Sequence, residues 1–68
     1  MTTPQNLSTI ERHEIVIGKR HGKRAAQYRT VNANGSAGAW FHLSVKEAEI
    51  AQRSGQWIDH PATVRVLP

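Results

Sequence analysis

The small size of this chain, together with the complete absence of cysteine, limits its fold more than any other feature. With 68 residues, it has room for one domain, because domains usually hold about 100–150 residues. Neither a disulfide nor a thiolate metal site can stabilise it. We therefore expect a free energy of unfolding on the order of 3–5 kcal/mol. A homodimer stays open as a further way to cover an apolar face.

The N-terminal residues predict neither a secretion signal nor a membrane span. Residues 1–9 are polar and contain Pro4, so we interpret them as a flexible arm before a single small α+β domain over residues 10–68. The longest uninterrupted apolar run, residues 15–17, is far shorter than the ~20 residues that cross a membrane. These features predict a cytoplasmic protein without membrane contact.

Two runs of strand-forming residues enclose a short, strongly basic connection. Residues 15–17 are all β-branched, and residues 26–31 alternate between apolar and polar side chains. The connection contains Gly22, so this region predicts a β-hairpin with a basic tip. Asn34-Gly35 predicts a primed turn, after which residues 39–43 form a third strand that pairs antiparallel with the second.

A helix with well-defined ends follows the third strand. Ser44 and Glu47 have the spacing of a capping box. In this motif, each of the two side chains accepts a hydrogen bond from the backbone N–H of the other residue at the helix start. Glu49 precedes Arg53 by four residues, which is the favourable order for an ion pair. Gly55 is placed to end the helix in a left-handed conformation.

These elements predict an α+β fold of order β-β-β-α-β. It is a small antiparallel sheet of three to four strands with one helix packed on a face. Residues 56–58 resume extended structure, residues 59–61 bend, and residues 62–67 form the last strand. The expected core contains one of Trp40 and Phe41, one of Ile15 and Val16, and also Ala48, Trp57, Val64 and Val66. Trp40 and Phe41 are adjacent in a strand, so one of them should face away from the helix and mark a partner surface.

Charge is the outlier of the composition. Nine Lys and Arg against five Asp and Glu give a net charge of +4. The expected partner-binding residues are cations of the hairpin tip and of the adjoining strands: Lys19, Arg20, His21, Lys23, Arg24, Arg12 and Arg29. They would suit a DNA or RNA backbone, where binding releases counterions, or an acidic protein surface. The alternative interpretation is a solvated turn that keeps the sheet edge soluble.

The sequence carries no recognisable catalytic or metal-binding motif. Its histidines, His13, His21, His42 and His60, include no pair with the helical i, i+4 spacing of zinc proteases. There is no nucleophile elbow and no phosphate-binding loop. A metal-free ribonuclease built from general acid and base side chains is the remaining catalytic hypothesis. We predict a protein that is not an enzyme and needs neither metal nor cofactor.

Two main functions remain from this reasoning, beside a third and weaker hypothesis of a structural subunit that folds fully only inside a larger assembly. The first is an inhibitor or adaptor, of the kind that mobile elements encode as accessory proteins. It would bind a larger, nucleic-acid-handling protein machine through the basic tip and the exposed sheet face. The second is a nucleic-acid-binding accessory or regulatory protein that uses the same tip. The absence of an RNA-recognition signature and of a helix-turn-helix pattern favours the first.

Overall fold

A long β-hairpin forms the centre of the fold. β1 (Ile10–Arg20) and β2 (Lys23–Asn32) pair antiparallel, with one irregularity in register after Ile10. His21 and Gly22 connect them with φ angles of 54° and 79°, and a type I′ turn requires both to be positive. The predicted hairpin and the place of its basic tip are confirmed in this computed structural model, which describes residues 9–68.

Three further strands and one helix complete the described chain. In chain order they are β3 (Phe41–Leu43), α1 (Val45–Ser54), β4 (Gln56–Trp57) and β5 (His60–Val66). The strands lie in the order β3-β2-β1-β5-β4. β2 pairs antiparallel with β3, as predicted, and β4 pairs antiparallel with β5. β1, however, pairs parallel with β5.

The α+β class with one helix on a sheet is therefore confirmed, but the sheet differs from the expected antiparallel one of three to four strands. It has five strands and is mixed. The helix crosses one face of the sheet, and a second reversal follows at Ile58 and Asp59, whose φ angles are 48° and 63°. After that reversal, β5 runs beside β1 in the same direction as β1. Parallel pairing is possible here because the chain between the two strands crosses over through a helix. His60 and Pro61 belong to β5 rather than to a bend.

The ends of α1 follow the predicted capping pattern with one change. The Ser44 hydroxyl oxygen accepts a hydrogen bond from the backbone N–H of Glu47 at 3.1 Å. It also donates to the Glu47 carboxylate at 3.1 Å. In a complete capping box, this carboxylate would instead accept a hydrogen bond from the backbone N–H of Ser44. Gly55 ends the helix with a φ of 76°, as expected for a left-handed cap.

Within the connection between β2 and β3, residues 33–35 form a three-residue loop rather than the expected primed turn at Asn34-Gly35. The Gly35 N–H donates to the Asn32 carbonyl oxygen at 2.9 Å, and the Asn32 N–H donates to the Ser36 carbonyl oxygen at 2.8 Å. Only Gly35 has a positive φ here, at 91°. This is a type I turn closed by a left-handed glycine, the usual form of three-residue hairpin loops.

The core lies between α1 and the centre of the sheet. Its buried residues are Ile15, Ile17, Ala26, Leu43, Ala48 and Ala51, with Trp57 and Val64 among the partly buried side chains around them. The expectation that either Trp40 or Phe41 is buried is wrong, since their exposed fractions are 40% and 58%. Val66 is also exposed. The helix is short and presents small alanines, so it lies close to the central strands and leaves the outer positions uncovered.

The predicted N-terminal arm lies almost wholly outside the described residues. Thr9 is the one residue of the predicted arm that the structure describes. Its carbonyl oxygen accepts a hydrogen bond from the Ala33 N–H at 2.9 Å. In residues 9–68, no helix has the length and apolar character needed to cross a membrane.

Candidate binding face

The alternation of side chains along β1 defines two faces of the sheet. Ile15 and Ile17 point towards α1 and are buried, whereas Glu14, Val16 and Gly18 point to the other side. We call that second side the open face. The strand register adds the remaining members: Arg12 and Arg20 from β1, Ala25, Gln27 and Arg29 from β2, His42 from β3, and Thr63 and Arg65 from β5.

Glu14 forms the centre of an ion network on the open face. Its carboxylate oxygens lie 2.9 Å from Arg12 Nη2 and 2.7 Å from Arg29 Nη2, and Arg29 Nε donates a further hydrogen bond at 2.8 Å. The hydrogen bonds from Arg29, and then those from Arg12, hold the pKa of Glu14 below its ordinary value. Both predicted binding residues are therefore held in fixed positions by one carboxylate.

Trp40 is the aromatic side chain that faces away from the helix. The Arg29 guanidinium lies 4.9 Å from the centroid of the Trp40 ring, within the distance of a cation–π interaction. Arg29 is thus enclosed by Glu14 and Trp40. Phe41 lies on the helix side, with its ring centroid 5.9 Å from that of Tyr28.

Two shallow hollows lie on the open face. The first, which we call the tip hollow, has a volume of about 400 Å³. The second, the tryptophan hollow, has about 340 Å³. The tip hollow is lined by Val16, Gly18, Lys19, Arg20, Ala25, Gln27, His42 and Leu67. The tryptophan hollow is lined by Glu14, Ile15, Val16, Arg29, Trp40, Thr63, Val64 and Arg65. Val16 lines both, so the two hollows are neighbours.

The basic tip divides its charges between the two sides of the hairpin. Lys19 pairs with Arg24 and Arg20 with Lys23 in the strand register, and these pairs point to opposite sides. Arg24 lies on the helix side, where its Nη2 is 3.0 Å from Glu49 Oε2. Glu49 therefore pairs with Arg24 and not with Arg53, the partner that the sequence predicted. Arg20 and Lys23 lie on the side of the open face.

The hairpin tip also extends past its neighbouring strands. The pairing of β5 with β1 ends at Ile17, and that of β3 with β2 at Ala26. At ~3.3 Å per residue, the remaining three residues of each hairpin strand project about 10 Å. The predicted cations of the tip are therefore accessible, with His21 in the turn itself.

The predicted site residues thus separate along the hairpin. Arg12 and Arg29 share Glu14, and Lys19 and Arg20 line the tip hollow. Lys23 lies on the side of the open face, Arg24 pairs with Glu49 on the helix side, and His21 lies in the turn.

Trp40 is the outward-facing aromatic side chain that the sequence predicted without distinguishing it from Phe41. Val16, Gln27, His42 and Arg65 also belong to the open face, although the sequence did not indicate them as site residues. Strict alternation along the strands is the signal that places them on this face.

A second group of polar residues lies at the other end of the helix side, with His13 buried and Trp57 and His60 partly buried. His13 has an exposed fraction of 3%, and its ring centroid lies 5.7 Å from that of His60. Burial, and then the neighbouring His60, lower the pKa of His13. Two buried atoms there, His13 Nε2 and Trp57 Nε1, have no hydrogen-bond partner among the described residues. No cluster suited to a metal ion occurs in residues 9–68.

Comparison with known protein families, with curated proteins and with solved structures finds no match to this chain.

Proposed function

We propose that this chain is a non-catalytic inhibitor or adaptor that docks its open face and basic tip onto the acidic surface of a protein partner. The observation that carries the proposal is the fixed arrangement of Arg29 between Glu14 and Trp40. Tryptophan and arginine are the side chains that most often dominate the energy of protein interfaces. Because Arg29 is already immobilised, binding through it costs little side-chain entropy.

The charges of the open face favour a protein over a nucleic acid. Four arginines lie on this face, and a single carboxylate, that of Glu14, forms ion pairs with two of them, Arg12 and Arg29. A phosphate backbone crossing the face would therefore meet a carboxylate at its centre. A protein surface can match positive, negative and apolar positions individually, and such complementarity gives specificity.

Nucleic-acid binding by the tip alone is the second candidate function. Among the ion pairs of residues 9–68, none involves Lys19, Arg20 or Lys23. These three cations project from the sheet, and a projecting hairpin can follow a phosphate backbone through counterion release. This mode would use the tip and leave Trp40 uninvolved.

A second copy of this chain is a poorer occupant of the open face. Face-to-face pairing would bring its four arginines against the same four of the partner copy. Like charges at close range are unfavourable in both sheets and interfaces.

The test uses a pair of charge reversals with a matched control. Arg20→Glu with Lys23→Glu reverses the cations on the open side of the tip, and Arg24 is left intact because it pairs with Glu49. The control, Lys46→Glu with Arg53→Glu, makes the same charge change on exposed positions of α1. Each tagged chain is crosslinked in nuclease-treated extract of the source cells, and captured proteins are compared.

We expect a defined protein that wild type and the control capture and that the tip variant and Trp40→Ala lose. Equal capture by all four chains would contradict the proposal. Fluorescence anisotropy with labelled DNA and RNA at near-physiological salt addresses the second function. Binding that survives this salt, falls in the tip variant and is unchanged in Trp40→Ala would replace the proposal with nucleic-acid binding.

A further inference from the structure

The tip hollow exists because two of the smallest side chains face each other across the hairpin. Gly18 and Ala25 are partners in the strand register, and both line the hollow. A glycine inside a strand weakens it, and often marks a place where a ligand or another backbone approaches closely. A side chain at Gly18 would begin to fill this space, since its Cβ would lie 3.4 Å from Leu67 Cδ1.

Polar side chains lie at one side of the two small residues Gly18 and Ala25. Arg20 Nη1 lies 3.3 Å from His42 Nε2. Arginine can only donate hydrogen bonds, so His42 Nε2 is the acceptor in this contact. Arg20 forms no ion pair among residues 9–68, and its fork of N–H groups matches the geometry of a carboxylate. Gln27, which is exposed and lines the same hollow, supplies a further amide donor.

Building on the proposed function, we infer that the tip hollow binds one acidic side chain of the protein partner. Arg20 and Gln27 donate to its carboxylate, and the aliphatic part of the side chain contacts Val16 and Leu67. The partner's backbone passes over the position of Gly18, where no side chain obstructs it.

The distance between the tip hollow and Glu14 favours an isolated acidic side chain, rather than a polyanion, as the ligand of the hollow. Glu14 and Gly18 are four residues apart in β1, which is about 13 Å at ~3.3 Å per residue. A nucleic-acid strand carries a phosphate at about every 3.4 Å of helix axis, so a strand along this face would place phosphates beside Glu14. A protein segment can place an acidic residue in the tip hollow and a neutral or basic one beside Glu14.

The experiment is an NMR titration of the isotope-labelled full chain. The first probe is a short acetylated peptide that alternates glutamate and alanine, and the second has glutamine in place of glutamate. The third is an oligothymidylate of the same formal charge as the first. We expect the glutamate peptide to shift the amide signals of Gly18, Ala25 and Gln27, and the glutamine peptide to leave them unchanged.

Three variants define the site. Arg20→Gln should weaken binding of the glutamate peptide about tenfold, because it removes charge-assisted hydrogen bonds. Lys46→Gln removes the same charge from an exposed position of α1 and should have no such effect. Ala25→Leu fills the hollow without a change of charge and should also abolish the shifts. The spectra themselves report whether each variant is folded.

The outcomes separate this inference from the proposed function. Absence of binding, or binding that Arg20→Gln and Lys46→Gln weaken equally, would overturn the hollow as the site. The capture experiment could still succeed in that case. Shifts of the same amides by the oligothymidylate, with none by the glutamate peptide, would overturn the acidic protein segment in favour of a phosphate ligand.

Discussion

The buried His13 illustrates how a single side chain can make stability depend on pH. It lies on the helix side with no carboxylate in its hydrogen bonds, and its neighbours include Tyr28, Thr30 and His60. Burial disfavours the imidazolium, so the pKa of His13 is lower in the folded chain than its ordinary value of about 6.5. Below this value the unfolded chain binds more protons than the folded one. Stability is therefore full above about pH 6.5 and falls as the pH falls.

We expect the free energy of unfolding to decrease from about pH 7 towards about pH 5.5. His13→Phe keeps an aromatic ring at this position but cannot bind a proton, so it should flatten this decrease. His21→Gln, in the exposed turn of the tip, serves as the control and should retain it. Urea unfolding followed by circular dichroism at several pH values provides the measurement. An identical slope in wild type and His13→Phe would contradict the assignment.

Glu14 contributes in a separate and more acidic range. Its pKa is lowered by its arginine partners, so its contribution is present above the ordinary carboxylate pKa, about 4.3. It is lost as the pH falls through the lowered folded value. Glu14 therefore contributes nothing to the loss of stability between about pH 7 and about pH 5.5, which lies above its ordinary carboxylate pKa.

At the scale of elements, the turn between β4 and β5 has the least suitable residue for its backbone. Ile58 has a φ of 48° and is exposed, although β-branched residues rarely adopt positive φ. We expect Ile58→Asn to raise the free energy of unfolding by about 1 kcal/mol, because asparagine tolerates this conformation and isoleucine does not. Urea unfolding measures the change. The control, Ile50→Asn, replaces an exposed isoleucine within α1 and should not stabilise the chain. A loss of stability in Ile58→Asn would mean that its side chain forms a needed contact.

Local signals predicted most elements correctly. Gly22 between two strand-forming runs gave the hairpin, and Ser44 with Gly55 gave both ends of the helix. These features depend on neighbouring residues, whose conformational preferences are local. The direction of β5 depends instead on a reversal at Ile58, a residue type that does not favour such turns. No local pattern could therefore predict the parallel pairing.

The candidate site was predicted less completely than the fold. The cations of the tip are contiguous in sequence, so their clustering was visible. The enclosure of Arg29 by Glu14 and Trp40 joins three different parts of the chain. Likewise, Arg20 contacts His42, which is 22 residues away in the sequence. Such contacts follow from strand register, which was fixed only once the β1–β2 and β2–β3 pairings were known.

At the scale of the whole molecule, stability depends on a core of unusually small side chains. The largest fully buried side chains are Ile15 and Ile17, and α1 contributes only Ala48 and Ala51 as buried residues. A chain of this size has a free energy of unfolding on the order of 3–5 kcal/mol. Removing one isoleucine side chain from a core costs about 2–5 kcal/mol. One such substitution therefore approaches the stability of the entire chain.

We accordingly expect Ile17→Ala to leave much of the chain unfolded at room temperature. Val16→Ala, one residue away, alters the open face instead, where Val16 is only partly buried. It should cost less than about 1 kcal/mol but weaken partner capture, because Val16 separates the two hollows. Circular dichroism during urea unfolding, with capture of the partner by each variant, measures both effects. A stable Ile17→Ala, or a Val16→Ala variant that loses its fold, would mean that the two faces of the sheet do not divide stability and binding in this way.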